Sequence, residues 1–372
     1  MTVVIDNGSG FSKIGFAGKD QPLSVFPTLI GYPNPSTFMF TFKSVPKEYY
    51  IGKEAINLYD DLKIIAPLEC GRVSDWDALE KIWHHIFIND LQINPSEHPV
   101  FLTESYPIIS LRERERIAEI MFETFSVPGL YIVNQELLAL YGAGQATGLV
   151  VGLGDGSTNI VPIIEGFVHA FSTRTMNATG RDITDYLGHL LNKKGYNFSE
   201  AAGYGILREI KEQLCYLTLD PEKERRIMGK NPGMDRVYPL QSGEPLLIGF
   251  ERFLAPEVLF NPTLIGRDDP PLDVGIHNAI QSCDIDMRQE LYSNIILVGG
   301  SSLILGLKER LDLELRRHVP EGYEVRIITP PERQYIAWIG GSILGSLNNF
   351  VRLMIQRTEY QEQGPSVIRR IT

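Results

Sequence analysis

At 372 residues, with 43% hydrophobic and 22% charged side chains, the chain has the composition of a globular protein of two or three packing units. A peptide hormone, a disulfide mini-protein, a disordered tail and a membrane-spanning bundle are excluded. Lys+Arg 35 against Asp+Glu 46 gives a formal net charge of -11, so sequence-independent binding to a phosphate backbone or an anionic membrane has no electrostatic basis, and neither a nucleic-acid partner nor membrane insertion is expected.

In chain order, residues 3–6 (VVID) read as a short buried strand that runs into Asn7-Gly8-Ser9-Gly10. The chain then resumes as FSKIGFAG, which carries Lys13 just past the turn, so the segment is strand, tight turn, strand. In GYPNPSTFMFTFKSVPKEYY, residues 31–50, Phe38, Phe40 and Phe42 alternate with Met39 and Thr41, and one face of the segment is aromatic. The pattern alone suits a strand docked on its own domain as well as an exposed contact surface. WDALEKIWHHIFIND reads as a helix. Its adjacent His84 and His85 point in different directions on a helix, so packing roles are expected rather than a shared metal.

Further on, GLVVGLG leads into Asp155-Gly156-Ser157-Thr158 and then NIVPII. The strand, turn, strand layout recurs, which points to an internal duplication. NIILVGGSSLILGLKERLDLELRR reads as a buried strand ending at Gly299-Gly300, followed by a helix with Leu303, Leu307, Leu311 and Leu315 on one face. Cys70, Cys215 and Cys283 are odd in number and form no CxxC pair, which argues against a disulfide framework or a zinc knuckle and for a reducing cytosol. No apolar run reaches the ~18 residues of a bilayer span, and an intracellular, soluble protein is expected.

Each glycine turn alone is an ordinary hairpin, because Asn-Gly and Asp-Gly tolerate the positive φ such turns need. Together they carry more, since turns with Gly and Ser/Thr present N–H groups and hydroxyls to phosphate oxygens, and two facing hairpins could clamp a polyphosphate. A carboxylate at a strand end, Asp6 or Asp155, could hold a hydrated Mg²⁺ there, because that ion keeps most of its waters. GxxxxGK[ST], a complete GxGxxG, GxSxG and HExxH are all absent from the sequence.

The strings DNGSG, GFAG, EKIWHH, EHPVFLTE, IMFETF, TGRDITDYL, REIKEQLCY, APEVLF, PPERQY, WIGGSIL and EYQEQGPS extend the comparison along nearly the whole chain, which resembles actin and its close actin-related proteins. The resemblance implies an α/β fold of the actin-like ATPase type: duplicated RNase H-like domains, as in sugar kinases and heat-shock chaperone ATPases, with four subdomains around a nucleotide cleft. The expected boundaries are 1–27 with 67–142 and 336–372, then 28–66, then 143–178 with 268–335, then 179–267. It implies ATP or ADP with Mg²⁺, or Ca²⁺ in its place. Asp6, Gly8, Ser9, Gly10 and Lys13 would form the first phosphate loop, and Gly154, Asp155, Gly156, Ser157 and Thr158 the second. Asp6 and Asp155 would hold the metal through water. Lys211, Glu212, Gly180, Gly299, Gly300 and Leu303 would line the adenosine side, although Lys211 and Glu212 also suit a solvated helix face. Gln135 would align the attacking water.

Several positions depart from the family pattern. Gly152 replaces an aspartate that helps hold the metal's waters, and Asn159 replaces a histidine beside the attacking water, leaving Gln135, Asp155 and Asn159 at the catalytic positions. An amide cannot take up and release a proton as imidazole does. At most a slow ATPase coupled to assembly is expected. Ile304 stands where an aromatic flanks adenine and Gln334 where a lysine reaches the cleft, which implies relaxed base preference. Cys70 replaces a commonly modified histidine, and a buried, inert thiol is expected there. The 31–50 segment, with Phe38, Met39 and Phe40, matches the family's subunit-contact loop, and Tyr141, Leu344, Leu347, Asn349 and Leu353 match the receiving surface, which in the family also takes regulators of the profilin type. Head-to-tail pairing of unlike surfaces builds an open helix. In NPTLIGRDDPPLDVG the charges and prolines are unusual for the loop that meets the opposite strand, so filament twist is left open. The implied function is a polymerising, cytoplasmic, cytoskeletal subunit; a non-polymerising subunit of a larger complex is the alternative. A small-molecule kinase would need a substrate pocket with a catalytic carboxylate, to which no residue points.

Overall fold

The computed structural model describes residues 1–34, 47–105, 110–198, 202–240 and 245–371. It is mixed α/β and divides into two units, one formed by residues 1–146, 165–168 and 330–372, the other by 147–164 and 169–329.

In the first unit the apolar run at the start of the chain becomes a central strand. Val3–Asn7 lies between its hairpin partner Phe11–Phe16, antiparallel, and Val100–Glu104, parallel. Ser24–Pro27 flanks the hairpin, and Gly129–Asn134 and Ile355–Gln356 extend the other side. A central strand is covered on both faces, which is why Val3, Val4 and Ile5 are all fully buried. Alternation then sends them to different cores. Val3 and Ile5 join Leu79, Ile82 and Trp83 of helix Trp76–His85, which Asp75 caps by accepting from the Ala78 N–H at 2.9 Å. Val4 and Phe101 join Leu138, Phe350 and Trp338 of helix Ile336–Gly345, and the Trp338 indole donates to the Val4 carbonyl at 3.1 Å.

The second unit repeats the plan. Gly148–Leu153 lies between its hairpin partner Thr158–Ile164, antiparallel, and Ile295–Val298, parallel, with Arg174–Met176 beyond the hairpin and Ile327–Ile328 beyond Ile295–Val298. Leu149, Val151 and Leu153 pack with Ile183 and Leu187 of helix Gly180–Lys193 and Ile210 of helix Ala202–Leu214. In each unit the hairpin's first strand is central, so the tight turn sits at the sheet's end with one parallel neighbour beside it.

Three local expectations change. Leu303 does not share a helix face with Leu307, Leu311 and Leu315: helix Leu307–Leu315 begins after Gly306, whose φ of 83° breaks the path, and Leu303 lies in the preceding 3-10 turn, 42% exposed. Cys70 is exposed rather than buried, because with φ of 50° it forms, together with Gly71, the turn joining strands Leu68–Glu69 and Arg72–Val73. His84 is exposed, whereas His85 packs edge-on against Phe26 and lies 3.4 Å from Asp90. Phe38, Met39, Phe40 and Phe42 lie outside the described residues.

Candidate functional site

In the first unit the turn after Val3–Asn7 closes through Gly8 N–H to the Phe11 carbonyl at 3.0 Å. A Cβ on Gly8 would meet that carbonyl oxygen at 2.8 Å, so the cradle excludes any larger residue. Thr28, fully buried, braces the turn by donating from Oγ1 to the Gly8 carbonyl at 2.7 Å, while its own N–H donates to the Gly10 carbonyl at 3.2 Å. Ser9 Oγ accepts from the Gly71 N–H at 3.3 Å, which ties the Cys70-Gly71 turn to the loop.

Asp6, 2% exposed, is the hub. Its Oδ1 accepts from Thr103 Oγ1 at 2.6 Å and from Gln135 Nε2 at 2.8 Å, and its Oδ2 accepts from Lys13 Nζ at 2.9 Å. Gln135 Nε2 also reaches Thr103 Oγ1 at 3.1 Å. The strand layout causes this convergence: Lys13 is the cross-strand partner of Asp6, Thr103 lies one residue before the end of the parallel neighbour, and Gln135 opens helix Gln135–Gly142, capped by Asn134, which accepts from the Leu137 N–H at 3.0 Å. A carboxylate has about four lone-pair sites, so one with three protein donors keeps capacity for a water. That suits a hydrated cation better than a directly ligated one. Behind Thr103, Glu104 and Arg114 form a buried two-point ion pair; burial pushes the Glu104 carboxyl up despite its partner.

In the second unit the turn closes through Gly154 N–H to the Ser157 carbonyl at 2.9 Å. The start of helix Gly180–Lys193 holds it, with the Gly180 N–H donating to the Gly154 carbonyl and the Arg181 N–H to the Asp155 carbonyl, each at 2.9 Å. A capping box of Thr179 and Asp182 fixes that helix end. Ser301 Oγ donates to the Gly154 carbonyl at 3.2 Å, and Arg181 Nη2 lies 3.4 Å from Asp155 Oδ2. Gly299 has φ of 89°, and a Cβ there would stand 2.4 Å from the Leu153 carbonyl oxygen; only glycine lets the Gly299-Gly300 turn lie against the end of the central strand.

Lys211 is buried, and its ammonium donates to the Gly180 carbonyl at 2.8 Å. Burial lowers its pKa against the opposing pull of Asp155. It therefore braces the helix start that holds the second turn. Its neighbour Glu212 is exposed and pairs with Arg208 at 3.1 Å, the solvated-face arrangement. Thr158 Oγ1 donates to the Ala178 carbonyl at 2.7 Å. Asn159, 2% exposed, lies directly across the ladder from Gly152, and on its other side accepts from Thr175 Oγ1 at 3.3 Å. Gly152 and Asn159 are thus cross-strand partners.

Thr28, Thr103, Arg181 and Ser301 were not singled out from sequence. Arg181 directly follows Gly180 in TGRD and Ser301 follows Gly299-Gly300, so adjacency to a glycine turn was available for both. Thr28 and Thr103 carry no local signal.

Of the surface residues, Leu344 is half-buried against the Trp338 core, while Leu347 and Leu353 are 54% and 55% exposed and Ile343 and Val351 are exposed beside them. Tyr141 is half-buried, its hydroxyl against Gly166. No helix among the described residues is long and apolar enough to cross a membrane. The family model described as Actin matches residues 1–372.

Proposed function

Because the chain belongs to the actin family and is thereby an actin-like, nucleotide-binding protein, we propose that it is an ATP-dependent cytoskeletal subunit that assembles head-to-tail into helical filaments and hydrolyses ATP slowly. The observation that carries the nucleotide half is the Asp6 hub, where Lys13, Thr103 and Gln135 converge on one buried carboxylate beside a glycine cradle.

Lys13 uses one proton on Asp6 and keeps two for phosphate oxygens. The N–H groups and hydroxyls of Gly8, Ser9 and Gly10, and of Gly156, Ser157 and Thr158 in the second turn, are the groups to receive the remaining phosphate oxygens. Asp6 and Asp155 would hold the waters of Mg²⁺, which when bound neutralises phosphate charge. Gln135 is oriented by its Nε2 bonds to Asp6 and Thr103, so its carbonyl oxygen is the acceptor for an attacking water. Leu303 and Gly300, exposed, and the braced Gly180 and Lys211 would border the adenosine.

Slow hydrolysis follows from the Gly152 and Asn159 pair: neither side chain can accept a proton, and loss of a positioned proton-transfer group costs ~10²–10⁴ in rate. Self-association is supported by the exposed apolar group Ile343, Leu347, Val351 and Leu353, an arrangement that marks an interaction surface. Profilin-like regulators would compete for the same group. The Gly152 and Asn159 pair equally suits a non-polymerising subunit that keeps ATP as structural glue. Pelleting and electron microscopy with Mg-ATP, run beside a phosphate-release assay, separate these. Filaments with delayed phosphate release are expected; no filaments across salt and nucleotide conditions would overturn assembly, and a phosphate burst like that of ordinary actin would overturn slow hydrolysis.

A further inference from the structure

Helix Pro221–Lys230 in the second unit has two unlike faces. Asp220 caps it, accepting from the Lys223 N–H at 2.9 Å. Its inward face carries Glu224, which accepts from the Tyr216 hydroxyl at 2.7 Å, and Met228, 3% exposed, whose sulfur lies 3.8 Å from the same hydroxyl. On the opposite face Lys223, Arg226, Ile227 and Lys230 recur at i, i+3, i+4 and i+7, one continuous stripe, and all four are exposed. Arg225 beside the stripe and Arg236 on strand Arg236–Pro239 add two further exposed cations.

None of these five cations has an ion-pair partner among the described residues; Arg226 Nε donates only to the Glu222 carbonyl of its own helix, at 3.2 Å. The chain as a whole has 46 acidic against 35 basic residues, so a bank of unpaired cations runs against its overall balance. Like charges one turn apart also disfavour the helix that carries them. Asp220, Lys223, Arg226, Ile227 and Lys230 line an open hollow of about 370 Å³, with the apolar Ile227 between the charges.

We propose that this face docks an acidic peptide segment of a partner protein, with carboxylates meeting Lys223, Arg226 and Lys230 and an apolar side chain resting on Ile227. The stripe spans about 10 Å of helix axis, the length of roughly three extended residues, so it fits a short motif. A long polyanion would meet the repulsion of the other acidic residues as soon as it left the stripe, whereas a short segment stays within about one Debye length, ~8 Å, of the cations. Charge complementarity therefore selects a peptide over a nucleic acid or a membrane. The proposal does not rest on nucleotide binding or on assembly.

The test is fluorescence anisotropy on the full chain with a fluorescein-labelled peptide of alternating glutamate and leucine. Saturable, salt-sensitive binding is expected, weakened about tenfold by the triple change Lys223→Glu, Arg226→Glu, Lys230→Glu. The milder set Lys223→Gln, Arg226→Gln, Lys230→Gln, with an unchanged melting curve, should weaken it in the same direction. Ile227→Ser should reduce affinity without altering the salt slope, and Lys308→Glu, on a different exposed helix face, should change nothing. No saturable binding by the wild type, binding by both triple variants equal to that of the wild type, or tighter binding to polyuridylate or phosphatidylserine vesicles would overturn the proposal.

Discussion

Restoring both halves of the Gly152 and Asn159 pair is the sharpest check on the chemistry. Opposed residues in an antiparallel ladder have Cβ atoms about 4.5–5.5 Å apart, so Gly152→Asp would place a carboxylate directly across from Asn159→His. At ~5 Å and an effective dielectric near 20, the attraction between that carboxylate and an imidazolium is about 3 kcal/mol, roughly two pKa units on the histidine. Asn159 is 2% exposed, so an imidazole there without the aspartate is held neutral by burial and titrates well below the usual range of about 6.5. The aspartate offsets that burial and returns the group to the neutral-pH region. The single change Asn159→His should therefore raise phosphate release only slightly, and the double change by about a hundredfold. The assay is single-turnover phosphate release across pH 5 to 9 for the four members of the cycle. The double variant should show a rate break near pH ~6–7 that the wild type lacks. A double variant no faster than wild type, or one whose gain is the sum of the single changes, would refute the coupling read from the register.

Three other outcomes follow from the same contacts. Thr103→Val keeps the shape of the side chain but removes a hydroxyl that donates to a buried carboxylate at 2.6 Å, so unfolding free energy should fall by about 1.5–3 kcal/mol and nucleotide affinity with it; urea unfolding indistinguishable from wild type would show that the hub is not braced there. The Lys211 pKa lies below its unfolded value, so between the two values the unfolded chain binds the extra proton and wild-type stability gains on Lys211→Met as pH rises toward about 10; unfolding curves that stay parallel from pH 7 to 10 would contradict the burial argument. Iodoacetamide should label the native protein once, at the exposed Cys70, since Cys215 is buried with its thiol pushed up to about 12 and Cys283 is buried with its thiol raised by desolvation; mass spectrometry finding label on Cys215 before Cys70 would reverse that order.

Much of the site was legible because its parts are local. A tight turn after a buried strand is written in adjacent residues, and both turns are where the patterns VVIDNGSG and VVGLGDGS place them. Lys13 reads as a site residue from the family resemblance and its place just past the turn, and the hairpin register sets it beside Asp6. The helix path at Leu303 and the exposure of Cys70 were misread for a common reason: each depends on a backbone break, at Gly306 and at the turn of Cys70 and Gly71, that apolar periodicity does not encode.

By itself the sequence determined the strand, turn, strand duplication and the two glycine turns, because strands and tight turns arise from contacts between near neighbours, while the α/β plan came from the resemblance carried by the long strings. Tertiary structure alone decided which side chains complete them. Thr103 and Gln135 reach Asp6 only after two parallel strands align, Lys211 becomes a buried brace only when its helix packs on Gly180, and Gly152 meets Asn159 only through register. The same packing left Lys223, Arg226 and Lys230 without an ion-pair partner among the described residues. Hydrogen bonds and charges act over a few ångströms, and residues far apart in the chain come within that range only once the cores have formed.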